Sequence, residues 1–532
     1  MALEPDDVEA SESPLLLAVA RQLTHGPGEL YGPFGERNPL VLIHPPLYYR
    51  LAASSAWPLA RAGIRPEKAA LVAGRTISLI GWGATLAGAF FLARFQAAPR
   101  IAGWWAILLA AATPVYGGLI VEVRPDMLGI ALQTWGVVLF LGALQNKNTS
   151  DRLIMLAFVF FALAACVKQH LIVAAAVSMV LLVAACARRR VRFKVLAGAF
   201  LIDTLILFSY FGLEEWLTKG HMSKAVIVAA RACSVFHPAT WQFARDSMLV
   251  LSWKCVGLIL LLATAALAGV VARSGVWSRL LAASGIALIG LVSTLTVIQS
   301  FAVSPQVSRA IVLGLVVTMV FLLPTSVHAL RRAWRSGGVD IALTLYVFAE
   351  LALTAYLWRL STGGWFNYAI EAVVLISILT ARAMARVVEH PLPKPAILGF
   401  LLAVLAVPAF ALTDVKEIIA RRRAESFLIE KLVDRLDASP GAVFFVDRPG
   451  FNRVYGRAEL VHDPWLYPVF ESIQLAEPRS AWLERALETG PVRTVVASSL
   501  ASRIDGLSRS LPELGYTLRG RVGPWLVWVR QQ

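Results

Sequence analysis

A chain of 532 residues that is 58% hydrophobic and 16% charged, with mean hydropathy +0.66, carries more apolar side chain than a single globular core can bury. That excludes an ordinary water-soluble fold and places the polypeptide in a bilayer. The formal charge of +16 does not point to nucleic acid, because no soluble basic face is visible; the excess suits anionic membrane lipids.

In chain order, the first distinctive stretch is "LEPDDVEASE", residues 3 to 12, with the carboxylates Glu4, Asp6, Asp7, Glu9 and Glu12 and no basic residue. No apolar signal segment precedes it. A short amphipathic helix is predicted next: Ser13 can cap it, Pro14 suits its first turn, and Leu16, Val19, Ala20 and Leu23 recur on one face. Glu12 then lies at the positive end of that helix. The following segment, "LYGPFGERNPLVLIHPPLYYRLAASSAWPLARAG", is too broken by prolines and Arg50 for a span. It is expected along the outer interface, with Tyr48, Tyr49 and Trp57 at headgroup level.

About twelve runs then have the length and apolarity of spanning helices. They lie near 70–95, 101–120, 126–144, 153–168, 170–187, 192–212, 247–272, 278–300, 307–328, 339–357, 366–388 and 394–413. Alternate loops collect Arg94 and Arg100, Lys147 and Arg152, Arg188 to Arg190 with Arg192 and Lys194, Arg273 and Arg279, Arg331, Arg332 and Arg335, and Arg382, Arg386 and Lys394. Those loops are predicted inside by their positive charge, which leaves Arg124, Lys168, Arg309 and Arg359 on the outer side with both termini. Of the cysteines, Cys166, Cys186 and Cys255 fall in apolar runs and Cys233 in an outer loop, without disulfide or zinc spacing.

After about residue 414 a charged linker helix, "VKEIIARRRAESFLIEKLVDRL", leads into strand-like runs at "AVFFVD", "RTVVAS" and "WLVWVR" separated by helical patterns such as "AWLERALETG". The expected organisation is an outer loop over 1–69, a membrane domain over 70–413, a linker over 414–439 and a small α/β domain over 440–532 on the outer face, acting as a cap or docking surface. The fold class is therefore an all-α polytopic membrane protein with a small C-terminal α/β domain.

The motifs "EASESPLLLAVARQL", "LYG", "IHPPLYY", "EVRPDMLGIAL", "VKQH" and "GGWFNYAIEA", in that order, resemble the landmarks of polytopic glycosyltransferases with the C-type fold. These are bacterial enzymes that take a sugar from a polyprenyl-phosphate carrier, including the aminoarabinose and galacturonic acid transferases of lipid A and, more distantly, the protein O-mannosyltransferases. The resemblance implies an inverting glycosyltransferase, hexosyl or pentosyl, working at the outer face of a bacterial inner membrane with a periplasmic C-terminal domain. Its partners would be a polyprenyl-phosphate-linked sugar and an envelope acceptor, whether glycan, lipid or protein. It implies a base among Glu12, Glu9 and Asp7, an acid at Asp126, and carrier-phosphate contacts from Arg124 and from His44, which stands where the aminoarabinose relatives have Lys. Asn367, Tyr368 and Glu371 match a late landmark. Such relatives begin with one more span before the acidic loop, so the resemblance leads to the expectation that this chain starts at a downstream methionine.

The residue types make independent chemical sense. Glycosyl transfer from phosphate to hydroxyl needs a base at the acceptor and cations where charge develops on the phosphate. A carboxylate group with Arg124, Lys168 and His44 or His170 supplies both. No cofactor is called for, and a divalent metal is left open. Structural readings stand beside these: a solvated acidic tail, Arg124 pairing with Asp126, and Lys168 snorkelling from a helix end. Glu371, inside an apolar run, calls for a partner. A transporter or lipid flippase, or an inactive scaffold, are the competing functions; against the transporter stand the lack of an internal repeat and the crowding of charges on one face.

Overall fold

The computed structural model describes residues 13–31, 44–96, 98–113, 120, 122–145, 150–229, 339–360, 366–388, 442–446, 492–498 and 507–531, with a few single residues around the C-terminal strands. The described part is mostly helical. In chain order come α1 (Ser13–His25), α2 (Leu47–Arg61), α3 (Pro66–Ala93), α4 (Arg100–Ala112), α5 (Asp126–Gln145), α6 (Asp151–Val167), α7 (Val173–Ala187), α8 (Phe193–Leu217), α9 (Val339–Leu360) and α10 (Ile370–Val388). The last eight fall on eight of the expected spans. Those near 247–272, 278–300, 307–328 and 394–413 lie outside the described residues. Pro66–Ala93, Asp126–Gln145, Gln169–Ala187 and Phe193–Leu217 are long and apolar enough to cross a membrane; α3 alone runs roughly 40 Å at 1.5 Å per residue.

Local sequence sets the helix boundaries. Pro66 opens α3, where a missing N–H costs nothing, and Glu67 follows in its positive first turn. Ser150 caps α6 by accepting from the Leu153 N–H at 3.4 Å. The break between α6 and α7 falls at Lys168, whose backbone is extended (φ −154°, ψ 122°), before a 3-10 turn over Gln169–Ile172.

Close packing follows a stripe of small residues on α3, at Gly74, Ser78, Gly81, Thr85 and Gly88, spaced to share one face. A Cβ on Gly74 would sit 2.6 Å from a Val123 methyl, one on Gly81 2.7 Å from the Met127 carbonyl, and one on Gly88 2.6 Å from the Thr134 methyl. The stripe thus lets α5 and the segment before it lie directly on α3.

At the other end of α3, Arg382 of α10 donates to Asp340 Oδ1 (2.6 Å) and to the carbonyls of Phe95 (2.7 Å) and Ala93 (3.0 Å). A guanidinium is favoured there because the C-terminal carbonyls of a helix have no partner within it and carry the negative end of the dipole. Arg382 is therefore buried in α10, where charge alone had put it in an inner loop.

The N-terminal region departs further from expectation. Leu16 to Ala20 are all buried, so this part of α1 is enclosed all round instead of lying with one face outward, while Thr24 and His25 at its end are exposed. Tyr48 and Tyr49, expected at the headgroups, are fully buried; Tyr48 Oη donates to the Gly74 carbonyl at 3.0 Å. Trp57 is the exposed one, half open with Arg61 4.0 Å over its ring. Arg50, which broke the hydropathy of this segment, binds Glu214 in the last turn of α8 and ties α2 to it.

The C-terminal region contains a four-stranded sheet in the order β1-β2-β4-β3: β1 (Ala442–Phe445), β2 (Val492–Ser498), β3 (Tyr516–Val522) and β4 (Trp525–Arg530). β1 and β2 are parallel, and the other pairs are antiparallel. A short helix, α11 (Leu507–Glu513), precedes β3. Three strands match the expected runs; β3, "YTLRGRV", was not anticipated. Leu428, Leu432 and Leu436, four residues apart in the linker segment, pack on one face of the sheet with Val443, Phe445 and Val527.

Candidate functional site

Residues far apart in sequence converge at the end of the helices where α5, α7 and α10 begin. Asp126 opens α5, with its carboxylate at the helix's positive end. Its Oδ1 receives the Lys168 ammonium, and the two side chains are 3% and 1% exposed. Lys168 is therefore no snorkelling residue: its charge is buried and paired. It also lies 5.1 Å over the ring of Tyr368, which His170 approaches edge-on at 4.9 Å. His170 Nε2 stands 3.7 Å from Glu371 Oε1 in the first turn of α10. Among the described residues, neither His170 Nε2 nor Glu371 Oε2, both buried, has a hydrogen-bond partner. The Tyr368 turn is fixed from α9, since Thr354 donates to its carbonyl at 2.7 Å.

Arg124 approaches the cluster from the segment before α5. Its Nε donates to Glu122 Oε2 at 2.5 Å, and its charge also acts on Asp126. Ser78 Oγ on α3 is bonded to the carbonyls of both Glu122 (2.7 Å) and Arg124 (3.2 Å), which holds this segment on the helix.

His44 completes the group. Its carbonyl accepts from Tyr31 Oη at 2.5 Å, and its buried Nδ1 has no hydrogen-bond partner among the described residues. Burial, reinforced by the Lys168 charge and opposed by Asp126, pushes the imidazole down to about 3, so His44 is neutral at ordinary pH. In that form it can donate or accept a hydrogen bond, and burial beside Lys168 disfavours its cationic form. Burial likewise raises the Tyr49 phenol, keeping it a neutral hydroxyl beside Asp126 and Arg124.

Of the residues singled out by sequence, the structure brings together His44, Arg124, Asp126, Lys168, His170, Tyr368 and Glu371. Asn367 belongs to the same turn as Tyr368. Glu12, Glu9 and Asp7 lie outside the described residues, so a cavity joining them to Asp126 is not described either. Two features had not been singled out. Glu122 is buried at 3% exposure; its signal was the E-x-R spacing, which puts an acid next to a base in one short segment. Deeper in the bundle, Gln133 Nε2 donates to Glu350 Oε1 at 2.5 Å across α5 and α9, with both residues buried. Among the described residues, no three His, Cys, Asp or Glu side chains gather so as to hold a metal ion.

Fold and cluster together define a multi-helical chain with membrane-spanning segments and a buried group of cations, carboxylates and aromatic hydroxyls at one end of them. No protein-family model and no curated protein matches the sequence. Among solved structures the chain is similar to ArnT from Cupriavidus metallidurans bound to undecaprenyl phosphate, at 14% identity and a TM-score of 0.47, over 99% of this chain and 95% of that one. It is also similar to the oligosaccharyltransferase AglB from Archaeoglobus fulgidus in complex with an inhibitory peptide and a dolichol-phosphate, at 13% identity and a TM-score of 0.45, over 98% of this chain and 74% of that one.

Proposed function

We propose that the protein is an integral-membrane glycosyltransferase that moves a sugar from a polyprenyl-phosphate carrier to an envelope acceptor on the outer face of a bacterial inner membrane. The observation that carries this reading is the convergence of buried Lys168, Tyr49 and Glu371 with half-buried Arg124, His44 and Tyr368 at one end of the spans, next to buried polar atoms that have no hydrogen-bond partner among the described residues. Buried charge is costly in a membrane protein and is kept where it binds something. Orphaned buried donors and acceptors mark where a polar ligand completes the hydrogen bonding.

In the proposed reaction the acceptor oxygen attacks the anomeric carbon while its proton passes to a carboxylate. The bond from that carbon to the phosphate oxygen breaks, and its electron pair leaves with the phosphate. Arg124 and Lys168 meet the growing negative charge. Neutral His44 and the Tyr49 hydroxyl add hydrogen bonds without adding charge. Asp126, already engaged by Lys168, acts as the carboxylate that holds the ammonium in place; the proton-accepting role falls to Glu12, Glu9 or Asp7.

The test is binding of undecaprenyl phosphate to the full chain in detergent, followed by transfer from undecaprenyl-phosphate sugars. Binding that falls at least tenfold in Arg124→Ala and Lys168→Met supports the reading. Equal binding by parent and variants overturns it. A deletion strain with unchanged envelope glycans and lipid-linked sugars would count against the activity. For topology, cysteines introduced at 480 and at the exposed position 25 should be labelled from the same outer side; labelling from opposite sides would refute the outer placement.

A further inference from the structure

We infer that His170 and Glu371 together bind a ring hydroxyl of the donor sugar and so help to decide which sugar is accepted. This rests on the carrier-phosphate reading of Arg124 and Lys168 given above. His170 Nε2 and Glu371 Oε1 are 3.7 Å apart, and their side chains are 6% and 4% exposed. That distance is too long for a hydrogen bond between them. It is the right separation for one inserted hydroxyl, whose oxygen can stand about 2.8 Å from both atoms, donating to the carboxylate while bonding the imidazole nitrogen. Among the described residues, neither His170 Nε2 nor Glu371 Oε2 has a hydrogen-bond partner of its own.

The charges around this pair divide the cluster into two halves. Lys168 is already held by Asp126, and among the described residues no Lys or Arg stands in ion-pair contact with Glu371. A second carboxylate lies behind it. Thr354 bonds the Tyr368 carbonyl and Asp340 meets Arg382, so α9 and α10 run antiparallel. Glu350, one turn from Thr354, and Glu371, about one turn from Tyr368, therefore lie at a similar depth, and they act on each other electrostatically. Glu350 is 1% exposed and accepts from Gln133 Nε2 at 2.5 Å. With its amide nitrogen engaged, Gln133 keeps a buried carbonyl oxygen that has no partner among the described residues. The half of the cluster around Glu371 thus offers acceptors and repels anions, whereas Arg124 and Lys168 offer cations. A sugar linked to phosphate has the complementary halves, a ring with hydroxyl donors and an anion. A phosphate oxygen has no proton to donate to Glu371 and would add like charge beside it, so the carboxylate belongs to the ring.

A hydrogen bond to a charged group contributes roughly 10- to 100-fold in affinity. The test compares two kinds of probe on the full chain in detergent: undecaprenyl phosphate without a sugar, and the same lipid carrying glucose, galactose, mannose or arabinose. The parent should bind at least one sugar-bearing lipid more tightly than the sugar-free one. Glu371→Leu, which removes both acceptor oxygens, should weaken that lipid roughly 10- to 100-fold and leave undecaprenyl phosphate binding unchanged. Glu371→Gln keeps one acceptor and should lose less. Retained binding of the sugar-free lipid also shows that a variant is folded; should Glu371→Leu bind neither probe, Glu371→Gln and His170→Gln carry the comparison. Equal losses on both probes would overturn the inference, because the pair would then serve the phosphate or merely hold α7 to α10. So would unchanged binding of the sugar-bearing lipid, the result expected if only water bridges the pair, and so would a parent that gains nothing from any of the sugars. Undecaprenyl phosphate binding that survives Arg124→Ala and Lys168→Met overturns the carrier-phosphate reading instead, so the two failures are distinguishable.

Discussion

Arg50 offers the sharpest quantitative test of how the N-terminal region is held over the cluster. Its Nε and Nη2 form a forked contact to Glu214 (3.0 and 2.5 Å), and its Nη1 donates to Gln22 Oε1 (2.8 Å) and to the Pro27 carbonyl (2.6 Å). Gln22 in turn donates to the Tyr49 carbonyl at 3.3 Å. One guanidinium thus ties α1, α2 and the turn after α1 to the end of α8. The Glu214 side chain is 4% exposed, so Arg50→Ala strands a buried carboxylate, a change that costs about 3–5 kcal/mol. Because the loss falls on the docking of α1 and α2, it should appear as easier local opening. At 1.4 kcal/mol per decade, amide protection in α1 and α2 should drop roughly 10²- to 10³-fold, measured by hydrogen exchange in detergent. Changing both partners, Arg50→Met with Glu214→Met, removes the stranded charge and should recover most of the protection. Unchanged exchange in Arg50→Ala, or a double variant as disordered as the single one, would refute the reasoning.

The remaining predictions concern base, packing and pH. Glu12→Gln keeps size and polarity but cannot take a proton, so turnover should fall on the order of 10²- to 10⁴-fold while undecaprenyl phosphate still binds; near-normal transfer would move the role to Glu9 or Asp7, tested by Glu9→Gln and Asp7→Asn. Gly81→Ala should destabilise by about 1–3 kcal/mol, because its Cβ would lie 2.7 Å from the Met127 backbone. Gly83→Ala, with open space around it, is the control and should be neutral or slightly stabilising in thermal unfolding. His44 titrates lower when folded than unfolded, so below the ordinary imidazole range the unfolded chain binds the extra proton and folding weakens as pH falls toward about 3. Replacing His44 with Asn should flatten that acid limb in a stability series, while leaving the shape of any pH–rate profile between pH 5 and 8 unchanged.

Much of this molecule is written in one dimension. A span must satisfy its own backbone hydrogen bonds and face lipid with apolar side chains, and both are local properties, so α3 to α10 fall where hydropathy puts them. The same holds for the charged landmarks: Arg124, Asp126, Lys168, His170 and Glu371 are conspicuous because ionisable groups are rare and costly in such segments. What the sequence does not contain is who meets whom. Lys168 reaches Asp126 across 42 positions, and Arg124 bonds Glu122 two residues away, while α3's small-residue stripe fixes how closely α5 and its leading segment can approach. Tyr48 and Tyr49 carry the same interfacial chemistry as Trp57, yet only α2's packing on α3 decides that the first two are buried. β3 escaped notice for a related reason: its register shifts between Leu518 and Gly520, and its side chains do not alternate cleanly between inside and out. It becomes a strand because β4 offers it an edge. Local chemistry thus determined the elements and the charged residues they carry; the close approach of helices determined which of those residues form one site.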